Sequence, residues 1–398
     1  MTLFGLLLST PISYHLPSDE KISDYVNHSY NLLEDLHSAV ISKNPDAILG
    51  RATPPTKMFQ EPIFYAADSA YYFQYLDFVI PKYNADSNWL LTKKNVDVSS
   101  GKSICLKIAK LHQQRMEHLI DIRLGNSNPS YEVILEVFQY SHKDLNATPA
   151  EIDFLNAFTI PDGETNSEFK SLLDYNVANA YPIIRKNDDE IIVPSFYCLT
   201  QSFYESPFYW LQEDNEYCQI AASNRGKATE SIAVKLLERV FPKDNVFKNV
   251  KISGKKGIEI GEIDVLVNYF GHLIILQSKS KRLTLEARKG NVRAILNDFQ
   301  KAIQEAVEQA FRCAEAISSN NLTYSCADSG MNLQIDPNSI IFPVILLLDH
   351  YPSLLHQTFL LGEKSNEKIS SSFVTDIFVG DVRKLVDVQI YRNRLLVS

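Results

Sequence analysis

The chain has 398 residues, 45% of them hydrophobic and 22% charged, which indicates a globular protein with an ample core and two or three domains. Its five cysteines form no CxxC pair, so a cysteine zinc site is not expected, and a scattered odd set fits a reducing cytoplasm. No apolar run reaches the length of a membrane span, and the short apolar start at 3–8 predicts a buried strand or helix rather than a signal peptide.

The net charge is divided unevenly along the chain. Residues 224–312 hold 17 Lys or Arg and 10 Asp or Glu, a net +7, whereas the whole chain carries −9 and the remainder therefore −16. Such a division is not typical of a general nucleic-acid coat protein and is typical of a protein with one local site for an anion. A solvent-exposed helix face explains the charge equally well.

The first two hundred residues predict mostly helices. Apolar residues at three- and four-residue spacing predict amphipathic helices at 21–42 and 106–122, and shorter helices are expected at 131–140 and 150–158. This region shows no cluster of His, Cys and carboxylates at metal-ligand spacing. We place a domain boundary near Ala222, which separates a mainly helical N-terminal region at 1–222 from a second domain at 223–398.

The segment 196–217 is unusually aromatic. It can be a surface on which nucleic-acid bases stack, but a core or interdomain helix filled with large side chains is the favoured interpretation. Pro207 is expected to break or kink this helix.

The second half predicts an α/β sandwich with a mixed sheet. Its pattern gives a helix, three strands, a helix, a buried strand and one further strand, at 224–241, 246–252, 258–267, 272–277, 288–317, 340–348 and 373–379. Pro343 lies within the buried strand and predicts that strand pairing starts near Val344.

Two of these strands carry the most informative residues of the chain. Asp264 lies on one strand, and the triplet Gln277-Ser278-Lys279 ends the next. A hairpin turning at 269–272 would bring Asp264 and Lys279 side by side. A carboxylate and an ammonium are costly to hold at the end of a half-buried sheet, and that cost is usually tolerated for a metal ion and a reactive phosphate. Glu230 falls near the inner face of the preceding helix.

Together these residues resemble the PD-(D/E)xK nuclease superfamily. In this restriction-endonuclease-like fold, a helix glutamate precedes an aspartate on one core strand and an acid-x-lysine on the next. The resemblance covers roughly residues 224–350 and implies an α/β fold with an α-β-β-β-α-β core. Gln277 stands where the usual pattern has an acid, as in the Mrr-like restriction enzymes and their relatives, for which the resemblance still implies a working nuclease.

The resemblance implies a catalytic site of Glu230, Asp264, Gln277 and Lys279 that converges at one end of the sheet. Asp264, Glu230 and Gln277 would hold Mg²⁺ or Mn²⁺, and a single metal is expected because Gln277 carries no charge. Such a metal lowers the pKa of its bound water and shields the phosphate, while Lys279 would orient the water or contact the scissile phosphate. Ser278 is expected to pack on the opposite face by strand alternation.

Each site residue also has an ordinary structural explanation. Glu230 can be an exposed helix carboxylate, Asp264 a turn cap and Lys279 a charge that protects an edge strand. The joint placement of these three residues on the expected elements favours a catalytic site over the separate structural explanations. The cations that follow it are expected to grip the phosphodiester backbone, although surface solubility explains them too: Lys281, Arg282, Arg288, Lys289 and Arg293. Asp298, on the following helix, is interpreted as part of a solvent-exposed face.

We therefore expect Mg²⁺-dependent phosphodiester hydrolysis, by a DNA endonuclease because the Gln-bearing relatives mostly act on DNA, with RNA left open as substrate. Use in bacterial or phage genome defence is the favoured context. One alternative is a catalytically inactive nuclease-fold subunit that binds nucleic acid or assembles with partners, and a second is a protein-interaction scaffold. The region 1–222 suggests a sensor, a homodimer contact or a docking site for a partner protein, with no membrane association.

Overall fold

A computed structural model describes residues 2–10, 12–40, 70–125, 127–170, 174–254, 257–288, 291–319, 322–349 and 373–376. The chain is of the mixed α/β class and divides into two compact units. Of the described residues, the first unit holds those through Val40 and from Tyr71 to Ala221, and the second holds Ala70 and those from Ala222 onward. No helix in these ranges is long and apolar enough to cross a bilayer.

The first unit is mainly helical. Its helices are α1 (Thr2–Leu7), α2 (Asp19–Val40), α3 (Tyr72–Tyr83), α4 (Ser87–Lys94), α5 (Val98–Leu124), α6 (Tyr131–Glu136), α7 (Pro149–Ala157), α8 (Val177–Ala180) and α9 (Phe196–Glu213). Three short strands form an antiparallel sheet in the order β1-β3-β2, with β1 at Gln139–Ser141, β2 at Ile184–Arg185 and β3 at Glu190–Ile192. The helix predicted at 131–140 is therefore wrong beyond Glu136, because Gln139–Ser141 pairs with Glu190–Ile192.

Helix α9 explains the aromatic segment. Phe203, Tyr204 and Trp210 are buried, so the interpretation as a core helix holds for these side chains. The prediction was a break or a kink at Pro207; the helix runs through the proline, so the break is wrong. Side chains on both sides of the proline are buried, among them Leu211, and this packing outweighs the one backbone hydrogen bond that proline removes.

The second unit contains one large mixed sheet. Its strands are β4 (Val246–Ser253), β5 (Glu259–Tyr269), β6 (His272–Lys279), β7 (Thr323–Cys326), β8 (Asn332–Leu333), β9 (Ile340–Leu347) and β10 (Phe373–Asp376). They lie in the order β10-β9-β6-β5-β4-β7-β8. The β6–β9 and β9–β10 pairs are parallel and the others antiparallel.

The predicted hairpin between β5 and β6 is confirmed. Tyr269 pairs with His272, and the two turn residues between them, Phe270 and Gly271, have φ values of 47° and 73°. Two successive positive φ values are the mark of a tight two-residue turn whose twist matches that of the strands.

The pairing of β9 starts earlier than Pro343 predicts. Ile340 already pairs with His272, and Pro343 lies opposite Ile275. The described pairing of β10 with β9 begins only at Val344. The missing N–H of Pro343 therefore costs no described bond on the β10 side, which is the edge position that proline tolerates.

Helices cover the sheet and begin the unit. They are α10 (Cys218–Leu237), which belongs to this unit from Ala222 onward, α11 (Leu285–Arg288), α12 (Val292–Phe299) and α13 (Glu305–Ile317), with a π-helical segment at Gln300–Gln304 between the last two. Ile295, Phe299, Ile303, Ala306 and Ala310 are buried against the sheet, as the spacing of apolar residues predicts. The described order of this unit is helix, three antiparallel strands, helices, two short strands and two parallel strands.

Candidate functional site

The strands β5 and β6 separate at one end of the sheet. Among the described residues, their pairing runs from Tyr269 and His272 to Val265 and Leu276 and ends there. Strand β6 nevertheless continues, paired with β9, as far as Lys279. The residues of β5 that precede Val265 are not paired with β6. Their side chains can therefore reach backbone groups of β6 that have no backbone partner on β5.

Asp264 occupies the point of separation. Its Oδ2 accepts a hydrogen bond from the Ser278 backbone N–H at 2.7 Å and a second from the Ser278 hydroxyl at 2.9 Å. The packing role predicted for Ser278 is wrong, because the carboxylate takes the place of a backbone acceptor that the separated strand does not supply. Ser278 fixes the direction of the Asp264 carboxylate and leaves its other oxygen for a further contact.

Gln277 is entirely buried, with 0% of its surface exposed. Its Nε2 donates to the Glu262 backbone carbonyl at 2.9 Å, an interaction that settles which end of the amide is nitrogen. No hydrogen-bond donor among the described residues reaches its Oε1. A buried oxygen without a partner costs about 1–3 kcal/mol, so this atom is suited to a donor or a cation that comes from outside the chain.

Lys279 is held by the following helix. Its Nζ donates to Oε1 of Gln309 on α13 at 3.3 Å, and the Nε2 of Gln309 is 3.4 Å from the Glu262 carbonyl. Within the described residues, Lys279 forms no ion pair with Asp264 or any other carboxylate. The one hydrogen bond of its side chain there is to a neutral amide, which an approaching anion can displace without separating an ion pair.

Glu230 lies on α10 and is paired with Lys248 of β4, at 3.2 Å between Oε2 and Nζ. Burial raises the pKa of Glu230, the Lys248 ammonium opposes that shift, and the negative charges of Asp264 and Glu262 add to it. Glu230 is therefore within electrostatic reach of Asp264. Of the four predicted catalytic residues, Asp264, Gln277 and Lys279 lie on the separated parts of β5 and β6. Glu230 is linked to them through its electrostatic interaction with Asp264.

Sequence reasoning overlooked several members of this arrangement. Lys248, Gln309 and the Glu262 carbonyl come from three different elements, and no spacing along the chain links them. The thiol of Cys313, also on α13, donates to the Glu262 carbonyl at 3.5 Å. The available signal was the buried face of α13, since Gln309 and Cys313 lie four residues apart on it and so point the same way.

The predicted phosphate-contacting cations are in different situations. Arg293 is exposed, whereas Arg282 is only 5% exposed, so its interpretation as a surface cation is wrong. Lys281 lies 3.2 Å from Oδ1 of Asp298. Arg288 belongs to α11, but its side chain lies outside the described part of the structure, as does the whole of Lys289.

Asp298 is not on a solvent-exposed face. It is 0% exposed, and its Oδ2 accepts from the backbone N–H and the hydroxyl of Thr284, at 2.6 and 2.8 Å. The Thr284 donors satisfy Oδ2, and the Lys281 ammonium lies beside Oδ1, so both oxygens have a favourable neighbour that offsets the cost of burying the carboxylate on α12.

The oxygen atoms available as metal ligands at this end of the sheet suit a hard cation better than a softer metal. Among the described residues, no three His, Cys, Asp or Glu side chains come close enough to form a metal-binding group. The candidate oxygens are one carboxylate oxygen of Asp264 and the unpartnered Oε1 of Gln277. A cation that takes one or two protein oxygens and keeps several waters, as Mg²⁺ does, fits this set.

Comparisons of the chain with protein-family models, with curated proteins and with solved structures gave no match.

Proposed function

We propose that the chain is a metal-dependent nuclease that hydrolyses phosphodiester bonds, with DNA as the preferred polymer. The observation that carries the proposal is the carboxylate of Asp264, directed by Ser278 at the separated end of β5 and β6. On the same strand, Gln277 precedes Ser278 and carries a buried amide oxygen without a donor among the described residues, and Lys279 follows Ser278. An anion, a neutral oxygen and an ammonium at one strand end are the groups needed to bind a cation and a phosphate together.

The topology of the second unit supports a restriction-endonuclease-like core. An N-terminal helix is followed by three consecutive antiparallel strands, a long helical segment, and a strand parallel to the third of them. Asp264 lies on the second of these strands and the Gln277–Lys279 triplet ends the third. This is the α-β-β-β-α-β order that we propose for the domain.

Asp264 and Gln277 would hold Mg²⁺ or Mn²⁺. When bound, such an ion lowers the pKa of a coordinated water and stabilises negative charge on the phosphate. The charges of Asp264 and Glu262 raise the cost of ionising Glu230, and Lys248 offsets part of that cost. The resulting negative potential attracts a divalent cation to the separated strands.

Lys279 has the second role. Its ammonium faces Gln309, a neutral amide, so a phosphate oxygen can replace the amide oxygen as hydrogen-bond acceptor. A bond from an ammonium to an anionic oxygen is about twice as strong as one between neutral groups, which favours the exchange. We assign to Lys279 the orientation of the scissile phosphate or of the attacking water.

A second candidate function is nucleic-acid binding without hydrolysis. It is favoured by Gln277, because a neutral amide stands where the usual pattern has a second strand carboxylate beside Asp264. The charge of Asp264 would still attract a cation. The negative charge available to hold that cation firmly is smaller than with two strand carboxylates. The first unit would then serve for docking or for dimerisation in either function.

The test is a cleavage assay on single-stranded DNA, double-stranded DNA and RNA, each with Mg²⁺, with Mn²⁺ and with a chelator. We expect cleavage of DNA that depends on the added metal and stops with the chelator. Binding of these polymers without cleavage under any of the metal conditions would favour the second candidate. Failure to bind any of them would remove both.

A further inference from the structure

The loop that follows the Gln277–Lys279 triplet is fastened to α12 through one buried carboxylate. Residues 280–284 leave β6, and Leu283 enters the hydrophobic core. Thr284 gives both its backbone N–H and its hydroxyl to Oδ2 of Asp298, and the same hydroxyl accepts from Ala287 N–H at 3.3 Å. Asp298 therefore fixes where the loop ends and where α11 begins.

The second oxygen of Asp298 is directed at a lysine. Its Oδ1 lies 3.2 Å from Nζ of Lys281, whose side chain is 35% exposed while Asp298 is 0% exposed. The carboxylate is thus inside the protein and the ammonium at its surface, two residues beyond Lys279. The contact is an ion pair and not a hydrogen bond, and an ammonium carries three N–H groups, so Lys281 can face Asp298 and contact an external anion at the same time.

An unrestrained lysine loses considerable side-chain entropy when it binds, up to about 2 kcal/mol. Lys281 has already lost part of that freedom through its pair with a carboxylate that cannot itself move. Surface ion pairs usually restrain little, but here one partner is buried and held by two further hydrogen bonds. Pre-organisation of this kind strengthens binding because less entropy is lost when the ligand arrives.

We propose that Asp298 is a positioning residue that holds Lys281 ready to contact a backbone phosphate of nucleic acid next to the one that Lys279 addresses. The inference rests on the proposed function and adds to it a second phosphate position, supplied by the loop after β6. It assigns Lys281 to substrate binding and not to the chemical step. It also explains why an aspartate is buried on α12.

The experiment measures binding of a fluorescein-labelled DNA duplex by anisotropy, without divalent metal and at increasing KCl. The proteins are the full chain, Lys281→Ala, Asp298→Asn and the double variant. Loss of one phosphate contact should make the slope of log affinity against log salt less steep by about 0.9. We expect that change for Lys281→Ala in the native background and almost none for the same substitution in the Asp298→Asn background.

Two matched variants separate positioning from general effects of charge and stability. Thr284→Val removes one hydrogen bond to Asp298 and keeps the ion pair, so Lys281→Ala should retain its full effect in that background. Arg293→Ala removes the same charge from an exposed side chain and should change the slope less than Lys281→Ala. If Asp298→Asn does not fold, the comparison of Lys281 with Arg293 still tests whether the lysine paired with Asp298 contacts phosphate more strongly than an exposed, unrestrained cation does.

Four results would overturn the positioning role. They are an equal effect of Lys281→Ala in the native and Asp298→Asn backgrounds, a larger effect in the Asp298→Asn background, an equal effect of Arg293→Ala, and no salt-dependent binding by the native chain. The last result would also remove the nucleic-acid function. Binding with the predicted Lys281 dependence but without cleavage would leave this inference standing and remove hydrolysis alone.

Discussion

The amide of Gln277 is satisfied on one side only. Its nitrogen is bonded to the Glu262 carbonyl, and its buried oxygen has no donor in the described part of the chain. A glutamate at this position would place a carboxylate oxygen where the unpartnered oxygen lies, and it would lose the donor to Glu262. The same change therefore improves the site for a cation and worsens it for the metal-free protein.

Gln277→Glu should accordingly lower the melting temperature in chelator and show a larger increase on addition of Mn²⁺ than the native chain. The increase reports the free energy of metal binding to the folded state. Calorimetric melts with and without Mn²⁺ measure it. Gln304→Glu, a half-buried glutamine of the π-helical segment, is the control and should gain nothing from Mn²⁺. An equal gain in both variants would mean that Gln277 does not face the cation.

The contacts of Glu151 predict how the stability of the first unit depends on pH. Burial would raise its pKa, but hydrogen bonds from Lys107, Thr148 N–H and Ser103 lower it to about 2. A carboxylate whose pKa is lower in the folded than in the unfolded state adds stability above its unfolded pKa, and this is lost as the pH falls through the folded pKa. Glu151→Gln should therefore destabilise the unit most at neutral pH, and its difference from the native chain should shrink between about pH 5 and pH 2.

Urea unfolding followed by tryptophan fluorescence measures this difference, because both tryptophans, Trp89 and Trp210, belong to the first unit. Glu168→Gln, the same substitution at an exposed position of the same unit, is the control and should shift the midpoint less than Glu151→Gln at neutral pH. A difference for Glu151→Gln that stays constant from neutral to acid pH would contradict the role assigned to its charge.

At the scale of elements, the sequence patterns predicted the helices and the hairpin whose formation depends on residues close together in the chain. The amphipathic spacing placed the helices α5 and α7 and the helical stretch from α12 to α13, and the turn residues placed the β5–β6 hairpin. The errors have a common cause, since tertiary contacts overruled a local preference. Buried neighbours carried α9 through Pro207, and partners at Glu190–Ile192 drew Gln139–Ser141 into a sheet.

Two glycines of the second unit test the same reasoning in opposite directions. Gly226 lies within α10, and a Cβ added there would meet nothing within 4 Å. Gly271 has equal space but a φ of +73° in the β5–β6 turn. Gly226→Ala should stabilise the unit by about 1 kcal/mol through helix propensity. Gly271→Ala should destabilise it by about 1–2 kcal/mol through the left-handed backbone.

Hydrogen exchange of the β5 and β6 amides measures both changes in the second unit, which contains no tryptophan. Each substitution adds one methyl group, so each is the control for the other. Changes of the same sign would show that the difference in backbone conformation between the two glycines does not decide the effect on stability.

At the scale of the whole molecule, the sequence predicted the elements that carry the site but not its contacts. Asp264, Gln277 and Lys279 could be found because a strand, a turn and a second strand are consecutive. The separation of β5 from β6 could not be predicted from the sequence, because the alternation of side chains along each strand does not reveal where the pairing of the strands stops. For this reason Ser278 was assigned to packing, and Lys248 and Gln309 were absent from the predicted site.

Charge distribution, by contrast, is a property of the whole chain and can be counted from the sequence. The net +7 of residues 224–312 lies in the second unit, together with the candidate site. Part of that positive charge is not available at the surface, since Arg282 is buried and Lys248 is paired with Glu230. The count of cations therefore overstates the charge available to a phosphate backbone.

The central claim is that phosphodiester cleavage takes place at Asp264. The most direct measurement is metal-dependent cleavage of supercoiled plasmid DNA by the native chain, Asp264→Asn and Asp244→Asn. Asparagine keeps an oxygen for the Ser278 donors and removes the charge, while Asp244 is exposed in the same unit and receives the same substitution. Loss of a cation's contribution of several kcal/mol corresponds to a rate on the order of a thousandfold lower. We predict that loss for Asp264→Asn and none for Asp244→Asn; equal cleavage by all three proteins, or cleavage by none, would contradict the assignment.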